Sequence, residues 1–231
     1  VLGSSLGYIN KISNGAILGV AADLLGSTSV NLLGAGFHDG FFDSVDNPDS
    51  RILAVGGICE DAIGGMMAGL SAYGKHIGVS SSYGAFISAM EHTAARLHGI
   101  GEQNRVTHFG GSFNTWILIN AHAGLKTGED GPTHADPQCL QLIQENFPPG
   151  ILITLTPWEP GEIWPLLAAG LKMRPAILSP FVTRPNEVIV EREKLNLAPA
   201  IEAINGVYAL RKADPSQRLD GSVILQESGV T

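Results

Sequence analysis

Residues 115–121, Thr-Trp-Ile-Leu-Ile-Asn-Ala, carry almost nothing that prefers water. A strand with one wet face alternates apolar and polar side chains, whereas a strand covered on both faces reads as a continuous apolar run. The segment therefore predicts a buried strand of a parallel sheet with helices on both sides. The flanking sequence has the alternation that such a sheet requires. Further strands are predicted at 16–22, 51–56, 76–81, 151–156 and 176–178, and helices at 60–73, 86–97, 139–146 and 162–171. The polar, glycine-rich stretch 99–114 is predicted as a loop. The expected fold class is α/β, a mostly parallel sheet flanked by helices.

At 231 residues the chain has room for one large α/β domain, or one domain and a piece of a second. With 44% hydrophobic and 16% charged residues it can bury a sizeable core, which excludes a disordered chain. Nucleic acid and anionic membrane need clustered Lys and Arg, and a net charge of −8 argues against both as partners. No apolar run approaches a membrane span, and the first residues lack the basic-then-apolar order of a signal peptide. Cys59 and Cys139 sit in no CxxC or Cys/His pattern, so they read as reduced thiols of a cytoplasmic protein.

Beyond Pro185 the periodicity gives way to a charged, proline-containing stretch. Residues 1–185 are therefore expected to form one domain, with 186–231 a linker and the start of a truncated C-terminal domain. Residues 222–231 read as the opening of a further strand. A chain that opens on Val1 and closes in this way is expected to be a subunit or a piece of something longer.

In open parallel sheets, ligands bind outside the carboxyl ends of the strands. That rule directs attention to 23–29, 57–60, 122–134 and 180–184. The third of these contains Gly128-Glu-Asp-Gly-Pro-Thr-His134, with His122 six residues before its first glycine. The run and its spaced histidine resemble the transketolase family, and seven consecutive matches are a specific signal. Three other segments follow in the family's order: Ala22-Asp-Leu-Leu-Gly-Ser27, Gly57-Ile-Cys-Glu60 with Ala62-Ile-Gly-Gly65, and the aromatic pair Tyr83 and Phe86.

The resemblance implies the pyrimidine-binding domain of a thiamine diphosphate enzyme that moves a two-carbon ketol unit between sugars. Glu60 is then the carboxyl group that holds the cofactor's aminopyrimidine in its reactive tautomer, in a pocket whose dryness disfavours the charged form. Tyr83 and Phe86 form the apolar wall against the pyrimidine, and Asp23 matches a carboxylate of the dimeric active site. His122, with a catalytic as well as a binding role, Asp130 and His134 address the sugar, while Ser27 and Arg184 match phosphate contacts. Imidazole suits such a place because it can donate to hydroxyls and phosphate oxygens in either protonation state.

Several features depart from the family pattern. Cys59 and Asp61 flank Glu60 where the family has Arg and His, residues 1–15 contain no Arg, and Arg184 stands two residues late. The pyrimidine-activating group stays readable while the phosphate clamp is thinned, so the donor is expected to include unphosphorylated ketoses or keto acids. The Gly-Asp-Gly segment that holds the diphosphate and Mg²⁺ in the family does not occur here. That half of the site, and the Mg²⁺ ligands, are assigned to another chain or region, and a homo-oligomer is expected. Two alternatives stand beside this reading: a subunit of another thiamine diphosphate enzyme acting on keto acids, and a non-catalytic relic that scaffolds a partner.

Overall fold

The computed structural model describes residues 1–124, 126–136, 138–184, 186–214, 216–218 and 221–223. Residues 224–231, most of the predicted final strand, lie outside the described residues. Five strands, β1 (Ile17–Ala21), β2 (Ile77–Tyr83), β3 (Trp116–Ala121), β4 (Leu152–Leu155) and β5 (Ile177–Pro180), form a sheet in the order β1-β2-β3-β5-β4. Every neighbouring pair is parallel. Six α-helices accompany them among the described residues: α1 (Leu2–Ile12), α2 (Glu60–Tyr73), α3 (Ser88–His92), α4 (Ile100–Phe109), α5 (Cys139–Glu145) and α6 (Ile163–Met173).

The period of two along β3 divides the core. Trp116 and Leu118 pack with Ile63 and Met67 of α2, Met90 of α3 and Ile143 of α5. Ile117 and Ile119 point the other way, to Leu6 of α1, Leu33, Val79 and Leu167 of α6. Both faces of β3 are dry, which is why its sequence carries no alternation. The close approach of α2 to β2 requires a glycine on the strand. A Cβ on Gly78 of β2 would stand 2.3 Å from the Met67 carbonyl oxygen, so helix and strand meet backbone to backbone.

Three segments differ from the sequence expectation. Residues 51–56 do not form a strand. Ile52 alone bridges to Gly19 of β1, through Gly19 N–H to the Arg51 carbonyl at 3.0 Å and Leu53 N–H to the Gly19 carbonyl at 2.8 Å, while the amide of Phe42 donates to the Ile52 carbonyl at 2.6 Å. Residues 99–114 are not a loop through most of their length. The chain runs from α3 through a π-type turn, Thr93–Gly99, directly into α4. This polar helix is held by Glu102, which is buried, receives Arg105 at 2.7 Å and caps the amide of Asn114 at 2.6 Å. The helix α1 was not anticipated. Its Asn10 is buried and binds both the amide and carbonyl of Ile17, stapling the helix to β1.

The stretch after residue 185 lies against the domain. Arg192 is 8% exposed and lies between Glu159 and Glu162, at 2.9 and 2.5 Å. It also donates to the Ala198 carbonyl and the Tyr208 hydroxyl, and it stands 5.3 Å from the Trp158 ring. Burial alone would lower its pKa, but Glu162, Tyr208 and Glu159 together hold it above the ordinary value.

Candidate functional site at the carboxyl edge of the sheet

The carboxyl ends of β1, β2, β3 and β5 converge on one group of side chains. β3 ends at Ala121, and His122 follows with φ of +51°, a left-handed conformation that few non-glycine residues adopt. That sharp exit lays the imidazole on the ring of Tyr83, the last residue of β2, with centroids 4.0 Å apart and planes 17° from parallel. The Tyr83 hydroxyl lies 3.4 Å from Ser27, on the loop after β1. His134 and Phe86 close the group edge-on, with centroid separations of 5.7 Å from Tyr83 to His134 and 5.4 Å from Phe86 to His134.

His122 is 1% exposed. Its Nδ1 stands 2.5 Å from Asp130 Oδ2, although off the line of a well-formed hydrogen bond, and its Nε2 faces Arg184 Nη1 at 3.4 Å. A carboxylate on one side and a guanidinium on the other select the tautomer with the proton on Nδ1. Burial pushes the pKa of His122 down, Asp130 opposes this, and Arg184 adds to the lowering. Arg184 itself pairs with Glu129 and lies 3.7 Å from Asp130, while Lys126 pairs with Glu187 at 3.1 Å. The two loops thus exchange partners: the loop after β3 supplies Lys126 with Glu129 and Asp130, and the loop after β5 supplies Arg184 and Glu187. Glu129 is held below its ordinary pKa by its own backbone amide first and by Arg184 second.

The ring of His122 should therefore titrate below the ordinary histidine value in an NMR pH series on the chain. Asp130→Asn should lower that midpoint further, and Arg184→Ala should raise it. The folded state releases the proton more readily than the unfolded one, so stability rises with pH across this window. It is lost as the pH falls from about 6.5, the unperturbed value, through the folded midpoint. A midpoint at or above the ordinary value would contradict the burial and cation contacts just described.

Glu60 opens α2, half-buried, and its Oε1 accepts a hydrogen bond of 2.8 Å from the hydroxyl of Ser82. Ser82 precedes Tyr83, so Glu60 and the His122 cluster are reached from neighbouring residues of one strand end. The two aromatic residues differ in availability. Tyr83 is 8% exposed and occupied by His122, whereas Phe86 is 42% exposed beside it. Asp23 is exposed and joins none of these contacts.

Ser82 and Glu129 have no role in the sequence reading. The signal for Ser82 was a run of three serines closing a strand that is otherwise buried. Glu129 sits inside the seven-residue motif, with nothing in the sequence to say that Arg184 would reach it.

A family model described as transketolase, pyrimidine binding domain, matches residues 13–184. No curated protein sequence matches the chain. Among solved structures, a transketolase from Leishmania mexicana superposes with a TM-score of 0.65 at 20% identity, over 88% of this chain and 26% of that one. A transketolase from Pichia stipitis, in complex with xylulose 5-phosphate, gives 0.64 at 21% identity, over 93% of this chain and 29% of that one. A split-gene transketolase, described as an inactive β4 tetramer, gives 0.56 at 16% identity, over 82% of this chain and 52% of that one. The chain thus spans between about a quarter and a half of the length of these structures.

Proposed function

Because the chain belongs to the transketolase family, through a pyrimidine-binding domain that covers residues 13–184, we propose that it supplies the aminopyrimidine half of a thiamine diphosphate site for ketol transfer between sugars. The observation that carries the proposal is the carboxyl of Glu60. It sits at the carboxyl edge of the sheet with Oε1 held by Ser82, and the exposed face of Phe86 belongs to the same edge. A carboxyl of that kind, on an edge that also exposes an apolar ring, suits a flat heterocycle with a ring nitrogen to bond. When bound, the cofactor supplies a nucleophilic carbon for breaking and making bonds beside a carbonyl.

In this reading Glu60 shares a proton with the pyrimidine, and Phe86 and Tyr83 limit its apolar side. His122, neutral and oriented by Asp130 and Arg184, acts as a catalytic and sugar-binding group. Asp130, His134, Ser27 and Arg184 address the hydroxyls and any phosphate, and Asp23 faces the neighbouring half. Diphosphate and Mg²⁺ are assigned to a separate domain or subunit, and the split-gene neighbour supports a two-chain arrangement. Among the described residues, no group of three or more His, Cys, Asp or Glu could hold a metal ion. Self-association and a cytoplasmic location belong to the same proposal. No helix among the described residues is long and apolar enough to cross a membrane. We place the domain boundary near residue 185, with the following segment, anchored through Arg192, leading towards a third domain.

Titration calorimetry tests the division of labour. The chain alone should bind thiamine diphosphate weakly or not at all, and its mixture with the diphosphate-binding half should bind tightly and only with Mg²⁺. The same mixture should turn over members of a panel of ketose phosphates, free ketoses and keto acids, with ketoses preferred. Tight Mg²⁺-dependent binding by the isolated chain would overturn the assignment of ligands to another half. Tight binding without turnover of any donor would favour the non-catalytic relic, which the Cys59 and Asp61 neighbours of Glu60 already suggest as the second reading.

A further inference from the structure

Three consecutive serines precede Tyr83 at the end of β2, and their hydroxyls have different partners. Ser80 donates to the Ile63 carbonyl at 3.2 Å and accepts from Trp116 Nε1 at 3.0 Å, so it fastens α2 and β3 to the strand. Ser81 donates to the Thr28 carbonyl at 2.8 Å and fixes the loop after β1. Both bonds are internal and their acceptors are backbone. Ser82, 3% exposed, is the one of the three that donates to a side chain, and that side chain is the carboxyl of Glu60.

A hydroxyl carries one proton. While Ser82 gives it to Glu60 Oε1, a proton added to the carboxyl is favoured on Oε2, because the unprotonated, carbonyl-like oxygen is the better acceptor for that hydroxyl. Ser82 is itself held by the parallel ladder, in register with Asn120 of β3, so the direction of its bond is set by the sheet rather than by α2. Glu60 by contrast is the first residue of its helix, which has no side-chain capping bond at that end. The hydroxyl therefore removes a rotational freedom at the one point where the carboxyl must face a ring nitrogen.

We propose that Ser82 is a positioning residue for Glu60: it engages Oε1 and leaves Oε2 as the oxygen that carries and shares the proton with the pyrimidine. The inference rests on the reading of Glu60 given above, and it adds that proton delivery depends on a residue of β2 which never touches the cofactor.

The test has two arms. In the chain alone, with glutamate carbonyl carbons labelled, the Glu60 carboxyl resonance is identified by its loss in Glu60→Gln. That resonance should move between H₂O and D₂O in the native chain and in Ser82→Thr, which keeps a hydroxyl, and should not move in Ser82→Ala. In the chain combined with its diphosphate-binding half, hydrogen exchange at the thiazolium carbon should slow by about 10- to 100-fold in Ser82→Ala, the size expected for losing a hydrogen bond to a charged group. Ser82→Thr should restore it, and the affinity for the cofactor should change little. Ser82→Ala added to Glu60→Gln should cause no further slowing, because the positioned group is already gone.

An unchanged isotope displacement in Ser82→Ala overturns the proposal. So does equal slowing by Ser82→Ala in the native and Glu60→Gln backgrounds, which is the mark of general damage to the fold. If Glu60→Gln itself exchanges normally, the reading of Glu60 has failed, whatever Ser82 does. Native exchange in Ser82→Ala with a strong effect of Glu60→Gln removes the positioning role alone.

Discussion

Glu60→Gln is expected to slow hydrogen exchange at the thiazolium carbon of thiamine diphosphate by about 100- to 10,000-fold in the assembled enzyme, the range of general acid–base assistance. The amide keeps the length of the side chain and can still accept from Ser82. What it lacks is a proton that can be shared with a ring nitrogen and returned. Glu60 is half-buried and makes one hydrogen bond, so the variant should fold like the native chain and the loss should be chemical. Asp130→Ala should separate from it cleanly. Asp130 contacts His122 and Arg184, so its removal should raise KM and alter donor preference while exchange persists. Exchange at the native rate in Glu60→Gln would remove Glu60 from the chemistry and transfer the case to the relic reading.

Arg192→Ala is expected to destabilise the domain by about 3–5 kcal/mol, the usual effect of removing one partner from a buried ion pair. The guanidinium is the cation between two carboxylates whose side chains are 6% and 3% exposed, and alanine would leave both without it. Tyr208 depends on the same cluster. Burial first, and then the Glu162 carboxylate that its hydroxyl contacts, push its pKa up to about 12. A raised folded value means stability that is whole below pH about 10, the unfolded pKa, and is lost as the pH climbs through the folded value. Urea melts of Arg192→Ala would report the first effect, and melts of the native chain between neutral and strongly alkaline pH the second. A change below about 1 kcal/mol in Arg192→Ala would mean that residues 186–210 do not contribute to the folded domain.

The fold was legible wherever burial imposed a period. The run at 115–121 announced a strand dry on both faces, and the structure places β3 in the middle of the sheet with a separate core on each side. Legibility failed where a polar contact at long range decided the outcome. Nothing periodic distinguishes 100–109 as a helix, because it is held by Glu102 reaching Arg105 and Asn114. The anchoring of the stretch after 185 could not be read, because it rests on one arginine whose acceptors lie some thirty residues away. Conversely, 51–56 had β-like composition, but it ends in Gly56 with Gly57 after it, and its Ile52 carbonyl serves Phe42.

The site divides in the same way. The motif at 128–134 and the spacing to His122 could be read directly, and the structure brings Asp130, His134, Arg184, Tyr83 and Ser27 around that histidine. The stacking of Tyr83 on His122 could not be read, since it follows from a single backbone torsion of +51°. The same holds for Ser82, whose importance lies in the direction of one hydroxyl.

Every ladder in this sheet joins segments that are far apart along the chain. Ile17 pairs with Ile77, Val79 with Ile117, Trp116 with Ile177 and Leu152 with Ile177, so no strand can dock on the one just before it through a hairpin. During synthesis at about 5–20 residues per second, β1 waits roughly 3–12 s for the sixty residues that separate it from β2 to emerge. β3 waits as long again for β5. Throughout that interval its dry sequence has a neighbour on one side at most, and the helices can form before the sheet does. The apolar run that makes the fold recognisable is thus also the part of the nascent chain most in need of shelter from other chains.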